Sequence, residues 1–212
     1  RTCIKLTKKN IKNYVAILIV TAHHAVDYKL LGKEAALIVD TRNAFGNFRT
    51  LLEEVTLHPM MGEYLTFIAN QKEDPATGRM PDENYAREVM QLMTIGLHEL
   101  NTDGTAKLSN GQPIPTYTSS DIAGLAKVFT GISYYNTNPS NNSFRGGNDG
   151  PDMSVRPMIF YPNFHSTSEK SFLGVAIPAS STVDVAGDLR TALDRLFQHP
   201  NVGPFIAHRL IQ

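Results

Sequence analysis

The stretch Pro81–Leu97, PDENYAREVMQLMTIGL, combines ionisable side chains with a helical apolar pattern. At about 100° per residue, one broad apolar arc contains Tyr85, Ala86, Val89, Leu92, Met93 and Gly96. The opposite, solvated side contains Arg87, Gln91 and Thr94. Glu88 falls between Leu92 and Ile95, at the edge of the face that should be buried. A bare carboxylate there is costly, so Glu88 must be paired, hydrogen-bonded or protonated.

Two further candidates, His165 and Lys170, come from a later segment. If both met Glu88, an acid, an imidazole and an ammonium group would share one site. Such a site could support general acid–base chemistry or hold a hard metal ion. Glu88, His165 and Lys170 are therefore the candidate catalytic residues of a hydrolase-like enzyme. The alternative is a buried hydrogen-bond network that pins the helix to the later segment.

The candidate binding residues on the same helix are Glu83, Asn84, Tyr85 and Arg87. Glu83 and Arg87 are spaced i, i+4 and could simply pair on the surface. Asn84 shares a face with Glu88. The sequence contains no HExxH, GxSxG, P-loop or paired Cys/His motif, so no complete catalytic constellation and no metal-ligand set can be assigned, and the cofactor is unknown.

Two His-Pro pairs lie in similar surroundings. LLEEVTLHPMMGEYL (51–65) aligns without gaps with ALDRLFQHPNVGPFI (192–206). Both patterns predict a helix, a corner at the proline and a second helix, because the residue before proline resists the helical conformation. Helix capping or a core hydrogen bond explains His58 and His199 better than metal ligation does. Duplication and convergent use of one corner both account for the likeness.

The apolar periodicity predicts a mainly α fold, a multi-helix single domain over 1–212. A buried helix is expected over Tyr14–Ala22, and the first third is expected to be helical throughout, including a second apolar run from Leu30 to Val39. After Pro59, the inward-facing residues are expected to be Met61, Tyr64, Leu65 and Ile68.

Capping and turn signals place the remaining elements. Asp82 is expected to cap the Pro81–Leu97 helix. Asn110-Gly111 predicts a small β-hairpin insertion, and Thr118-Ser119-Ser120-Asp121 predicts a capping box before a further helix. One long polar loop is expected over 133–157, followed by two closing helices.

Composition bounds the partners. The 212 residues contain 20 basic and 20 acidic side chains, a net charge of +0, so no global field favours nucleic acid. The single Cys3 excludes an internal disulfide framework. The apolar run Tyr14–Ala22 is too short to span a membrane. We expect the chain to be a fragment of a longer polypeptide, whose partner is another protein or the remainder of its own chain.

Several motifs together resemble one bacterial family, known as domain of unknown function 1800. They are PDENYAREVMQLMTIGL, HELNTDGT, GQPIPTYTSSDIAGLAKVFTG, HSTSEKSFLG and HPNVGPFIAHRLIQ, and the likeness runs from about Tyr14 to Gln212. The chain has Ile132 where the family usually has Trp, and Ser166 where it often has Asp; the second change removes a carboxylate beside His165.

The resemblance implies an exported or periplasmic location and carries over no biochemical activity. The expected function is an exported bacterial interaction or assembly module. The alternative is a hydrolase-like enzyme that uses Glu88 with His165, possibly assisted by a metal.

Overall fold

The structure is a computed structural model that describes residues 7–12, 17–19, 27, 30, 34, 38–40, 48–146 and 153–211. It is mainly α, with short two-stranded sheets between the helices. Helix α1 is Lys8–Ile11, and a parallel pair of strands follows, β1 (Ile17–Ile19) and β2 (Ile38–Asp40). No helix among the described residues is long and apolar enough to cross a membrane.

The prediction of helix throughout the first third is wrong at these two strands. Ile17–Ile19 lies inside the expected Tyr14–Ala22 helix, and Ile38–Asp40 overlaps the end of the Leu30–Val39 run. Both strands consist largely of β-branched residues, which favour extended backbone. Short apolar runs do not distinguish a strand from a buried helix by periodicity alone. The rest of these two segments lies mostly outside the described residues.

Two helix–corner–helix units frame the remainder of the chain. The first consists of α2 (Phe48–Thr56) and α3 (Pro59–Tyr64); the second consists of α6 (Val185–Gln198) and α7 (Val202–Ile211). Helix α2 packs against α6. Helix α3 ends at Tyr64 because Thr66 has a positive φ of 62°. Tyr64 is 79% exposed and Ile68 lies beyond the helix, so the prediction that Tyr64 faces inward along a longer helix is wrong.

The Pro81–Leu97 stretch forms α4 (Asn84–Glu88) and then a π-helix (Val89–Thr94). The widened turn is visible in two bonds to residues five positions back: the Ile95 amide donates to the Met90 carbonyl at 2.9 Å and the Thr94 hydroxyl to Val89 at 2.6 Å. A helical wheel drawn with 3.6 residues per turn therefore assigns residues of the π-helix to the wrong faces. Leu92, predicted to be buried, is 51% exposed, and Thr94, predicted to be solvated, is fully buried.

The hairpin strands β3 (Leu108–Ser109) and β4 (Gln112–Pro113) pair antiparallel about Asn110-Gly111, both of which have positive φ. Helix α5 (Ser119–Val128) begins with the predicted capping box, in which Thr118 and Asp121 satisfy each other's backbone amides. This prediction is confirmed. Asp82 lies one residue before the N-cap position, which is occupied by Glu83, although its carboxylate still accepts from the Asn84 amide at 2.8 Å.

Two more antiparallel pairs follow α5. Strands β5 (Ile132–Ser133) and β6 (Ile159–Phe160) form one, and β7 (Lys170–Phe172) and β8 (Val175–Ile177) form the other. Short 3₁₀ turns lie at Ser143–Arg145 and Pro162–Phe164. Where the structure describes the predicted polar loop, it is anchored by Phe144, whose buried ring stacks on Phe164 at 3.8 Å.

The main core lies between α4, α5 and α6. Its aromatic centre consists of Phe67, Tyr85 and Phe129, with the Phe67 and Tyr85 rings stacked at 4.0 Å and the Phe129 ring edge-on to Tyr85 at 4.8 Å. Helix α5 also packs along β7. This packing places the carboxyl end of α5, the strand β7 and the first turn of α6 side by side, and the candidate site lies there.

Candidate functional site

Gly131 brings the end of α5 against the segment that carries His165. Its φ is +71°, and a Cβ at this position would lie 2.8 Å from the Tyr161 carbonyl oxygen and 2.9 Å from the His165 backbone nitrogen. Only glycine tolerates this combination of left-handed backbone and close approach. The neighbouring residue Thr130 is thereby held next to the His165 ring.

The imidazole of His165 is bound on both sides. Its Nδ1 lies 2.7 Å from the Thr130 carbonyl oxygen, and its Nε2 lies 3.0 Å from Oδ2 of Asp188. The Thr130 hydroxyl already donates to the Lys127 carbonyl at 2.6 Å and accepts from the Ser166 amide at 2.8 Å. Both ring nitrogens of His165 therefore lie within hydrogen-bond distance of oxygen atoms inside the protein.

Lys170 shares the same carboxylate. Its Nζ lies 2.8 Å from Oδ2 of Asp188 and 3.4 Å from the Ser168 carbonyl oxygen. Lys170 comes from the inward side of β7, and Asp188 comes from the first turn of α6, where the helix dipole also favours a negative charge. His165 is 1% exposed and Lys170 is 3% exposed. The two basic side chains are thus buried, whereas the Asp188 side chain is 14% exposed.

A second carboxylate, Glu73, lies on the other side of Ser166. Its Oε1 accepts from the Ser166 hydroxyl at 2.9 Å. Burial raises the pKa of Glu73, but hydrogen bonds from Ser168, from its own backbone and from Ser166, together with the nearby Lys127, leave that pKa below its ordinary value. Glu73 is therefore a carboxylate that stays charged, and it lies beside the cluster of His165, Lys170 and Asp188.

The arrangement resembles the His–Asp pair of a hydrolytic triad, but it lacks the nucleophile that the second ring nitrogen of the histidine would face. In a hydrolytic triad one ring nitrogen is held by the carboxylate, and the other faces the nucleophile. Here the second nitrogen of His165 lies 2.7 Å from the Thr130 backbone carbonyl oxygen, which is not a nucleophile, and 3.3 Å from the Thr130 hydroxyl. That hydroxyl already donates its proton to the Lys127 carbonyl at 2.6 Å. Chemically, the cluster joins α5, β7 and α6 through paired charges.

The structure brings His165 and Lys170 together through Asp188 and leaves Glu88 apart. Glu88 is half-buried and makes no hydrogen bond or ion pair with any residue that the structure describes. Its charge acts on Tyr117: burial raises the pKa of that phenol, Arg87 lowers it and Glu88 raises it further, so the net direction is upward.

The candidate binding residues have separate partners. Glu83 and Arg87 form the expected i, i+4 pair, with the Arg87 Nη2 3.3 Å from the Glu83 carboxylate, so their pairing is confirmed. Asn84 donates to the Leu65 carbonyl at 3.2 Å. Tyr85 is fully buried and its hydroxyl lies 2.7 Å from the Thr56 hydroxyl; burial, only partly offset by that bond, raises its pKa. These side chains hold the helix in place.

A family model described as a protein of unknown function (DUF1800) matches residues 8–212. The chain belongs to the DUF1800 family. No curated protein and no solved structure shows significant similarity to the chain. The predicted family resemblance is therefore confirmed, and the family description assigns no biochemical activity.

Of the two corner histidines of this DUF1800 chain, His58 caps α3, as predicted, and His199 binds the backbone amide just before α7. The His58 Nδ1 accepts from the Met60 amide, and the His199 Nδ1 accepts from the Asn201 amide, both at 3.2 Å. Within the described residues, no group of three or more His, Cys, Asp and Glu side chains is placed to hold a metal ion.

Sequence reasoning missed Asp188, Thr130 and Glu73. Asp188 could have been found by the test that singled out Glu88, because the buried stripe of α6 contains Val185, Leu189, Ala192, Leu193 and Leu196. Asp188 lies three residues after Val185 and four before Ala192, on that stripe. Thr130 acts through its backbone carbonyl, which carries no sequence signal.

Proposed function

We propose that this DUF1800 chain is an exported interaction or assembly module and not a hydrolase. The observation that supports the proposal is the state of His165, whose two ring nitrogens are both engaged inside the protein. A general base must come within hydrogen-bond distance of the substrate proton that it removes. His165 would first have to leave the Thr130 carbonyl or the Asp188 carboxylate, and a buried polar group that loses its hydrogen-bond partner is destabilised.

The hydrolase-like alternative has weaker support. It requires Glu88 to act with His165, and the only described carboxylate that contacts the His165 ring is that of Asp188. Its remaining argument is the presence of suitable residue types. Location outside the cytoplasm is part of the proposal and rests on the family resemblance alone.

The exposed surface favours binding over catalysis. Large apolar side chains of the first corner reach solvent, among them Leu51 (53% exposed) and Met60 (43% exposed), together with the ring of Tyr64. Contiguous exposed apolar groups of this kind mark contact sites for other macromolecules. The first corner thus presents apolar side chains to solvent, whereas His165 and Lys170 are buried.

Site-specific photo-crosslinking in the bacterium that encodes the chain tests the proposal. A photoreactive phenylalanine analogue is placed at Tyr64, at Leu108 on the hairpin or at Val155, three exposed positions on separate surfaces. An interaction module gives a discrete adduct with another protein from at least one position. Absence of a protein adduct from all three positions would contradict the proposal.

Fractionation of the same cells tests location, since recovery of the adduct with cytoplasmic markers argues against export. The enzymatic alternative has its own test. Hydrolysis of ester, amide or glycoside substrates that His165→Gln abolishes, while the variant keeps the wild-type circular dichroism spectrum, would overturn the proposal in favour of catalysis.

A further inference from the structure

The first corner carries an apolar groove on its outer face. The groove has a volume of about 470 Å³ and is lined by Leu51, Glu54, Val55, His58, Met60, Met61 and Tyr64. Its walls come from α2 and α3, whose relative position is set by Pro59 and the cap from His58. It is therefore formed by rigid elements and is open to solvent.

The second helix–corner–helix unit shows which kind of structure can cover the outer face of such a corner. In the gapless alignment of the two corners, Met60 corresponds to Asn201 and Tyr64 corresponds to Phe205. The Asn201 amide donates to the Ile95 and His98 carbonyls at 2.6 and 2.9 Å. The Phe205 ring lies against Gly96. The outer face of the second corner is thus covered by the end of a helix, whereas Met60 and Tyr64 of the first corner remain exposed.

The difference between Met60 and Asn201 determines which part of a helix would fit. Asn201 accepts and donates hydrogen bonds, so it holds the polar end of a helix. Met60 and Met61 offer no such bonds and present flexible, polarisable side chains that adapt to apolar surfaces. The groove at the first corner is therefore suited to the apolar side of a helix rather than to its end, in the manner of helix-in-groove recognition.

The charge at the rim of the groove, which is that of Glu54, indicates which charge a bound amphipathic helix should carry beside its apolar face. Glu54 lines the groove, is exposed, and forms no ion pair with any described residue. The basic side chain on α2, Arg49, is already held by Glu53 at 2.7 Å and by Asp194 at 2.6 Å. The rim is thus acidic, and a partner with basic residues beside its apolar face is complementary to it.

A second copy of the same chain fits less well. A symmetric contact between two first corners would place the acidic rim of one copy against the acidic rim of the other. Like charges brought together in this way oppose association. The acidic rim thus favours a partner of opposite charge.

We propose that the groove between α2 and α3 binds an amphipathic helix of a partner protein, with Lys or Arg flanking its apolar face. The inference rests on the proposed interaction function and names the partner's chemistry. Leu51, Met60 and Tyr64 contact the apolar face of the helix, and Glu54 pairs with a flanking basic residue.

Two labelled peptides test the inference by fluorescence anisotropy with the 212-residue chain. Each has about 18 residues, five helical turns, and the same Leu-rich face; one is flanked by Lys and the other by Glu. The basic peptide binds at least about tenfold more tightly than the acidic one. Tyr64→Asp and Met60→Asp each weaken that binding by about tenfold or more, whereas Leu108→Asp, on the exposed hairpin, leaves it unchanged.

The charge swap Glu54→Lys reverses the preference between the two peptides. Equal binding of both peptides, no binding of either, or groove variants that bind like wild type would overturn the inference. So would a dimer, detected by sedimentation velocity, that Tyr64→Asp dissociates, since this outcome assigns the groove to a second copy.

The crosslinking experiment separates this inference from the proposed function. An adduct from Tyr64 that maps to a basic amphipathic helix supports both. Adducts from Leu108 or Val155 alone, or an adduct from Tyr64 with an acidic or extended segment, leave the interaction function standing and overturn the helix partner. Absence of adducts from every position overturns both.

Discussion

The two helix–corner–helix units share their local structure and differ in what covers them. In each, a histidine before a proline accepts, through Nδ1, a hydrogen bond from the backbone amide two residues later. The equivalent acids Glu53 and Asp194 both bind the same guanidinium, that of Arg49, where α2 packs on α6. The corner itself is therefore specified by residues close together in the sequence.

The outer faces are different. Asn201 and Phe205 lie under the end of the π-helix, and α6 also contributes Asp188 to the His165 cluster. The first corner has Met60 and Tyr64 at the matching positions, both exposed. The two corners thus differ at two matching positions of a shared pattern. The second corner is covered at these positions, and the first corner is exposed there.

Asp188→Ala should give the largest loss of stability in either corner. It leaves Lys170 and His165 buried without their shared carboxylate, and removal of one partner of a buried ion pair costs about 4 kcal/mol. Urea denaturation followed by circular dichroism measures the free energy of unfolding. Asp194→Ala, six residues later on the same helix, removes a half-exposed ion pair and should cost less than about 1 kcal/mol. Equal losses for the two variants would show that the cluster has no special role.

Asn201→Ala should cost about 3 kcal/mol, because the Leu100 amide and the Ile95 and His98 carbonyls lose buried partners. Met60→Ala, at the matching position of the first corner, should change the free energy of unfolding by less than about 0.5 kcal/mol. Thermal and urea denaturation of both variants measure this contrast directly. A large loss for Met60→Ala would mean that the first corner is covered after all.

Gly96→Ala should cost about 2 kcal/mol, because φ is +69° and the new Cβ would lie 2.5 Å from the Phe205 ring. The double variant with Phe205→Ala separates the two causes. If the collision matters, the combined loss is smaller than the sum of the single losses, which a double-mutant cycle detects. Strict additivity would assign the whole effect to the backbone conformation.

The smallest expected effect is a pH dependence at His199. Burial and then Arg195 lower the pKa of this imidazole, Glu99 raises it and Lys107 lowers it, and the net direction is below 6.5. The unfolded ring therefore takes up its proton at a higher pH than the folded ring does. The stability that the neutral ring contributes is fully present above about pH 6.5 and is lost as the pH falls toward the folded pKa.

His199→Gln should accordingly flatten the decline in the free energy of unfolding below neutral pH, measured by urea titrations between about pH 5 and 7. His58→Gln serves as the reference for losing a capping imidazole at an exposed corner. An unchanged slope in His199→Gln would contradict the prediction.

Local signals were sufficient for the caps and corners. The box of Thr118 and Asp121 and the two His-Pro corners depend on side chains within a few residues of the backbone that they bind. The strand Ile17–Ile19 was missed because its pairing partner lies some twenty residues away at Ile38–Asp40. Pairing over that distance leaves no mark on local periodicity.

The candidate site was predictable only in part. His165 and Lys170 were identified by their chemistry, and Glu88 by a wheel that assumes 3.6 residues per turn. The wheel fails after Glu88 because the chain continues as a π-helix. No residue type in the stretch predicts this change of helix. Asp188, the acid that reaches His165, comes from a helix that the same wheel describes correctly. The wheel therefore failed for the Glu88 helix because the helix type changes there. Asp188 was missed because the wheel was not applied to α6.

The π-helix also makes this stretch sensitive to the length of the gene. Each bond from a residue to the fifth before it encloses one residue more than an α-helical bond does. Loss of one codon between Glu88 and Thr94 would remove the extra residue and let the segment wind as an α-helix in nearly the same direction. Loss of two codons would turn everything that follows by about 100°. Gly96 would leave Phe205 and the Ile95 carbonyl would leave Asn201. Across this turn, the longer deletion would separate the core from its second corner.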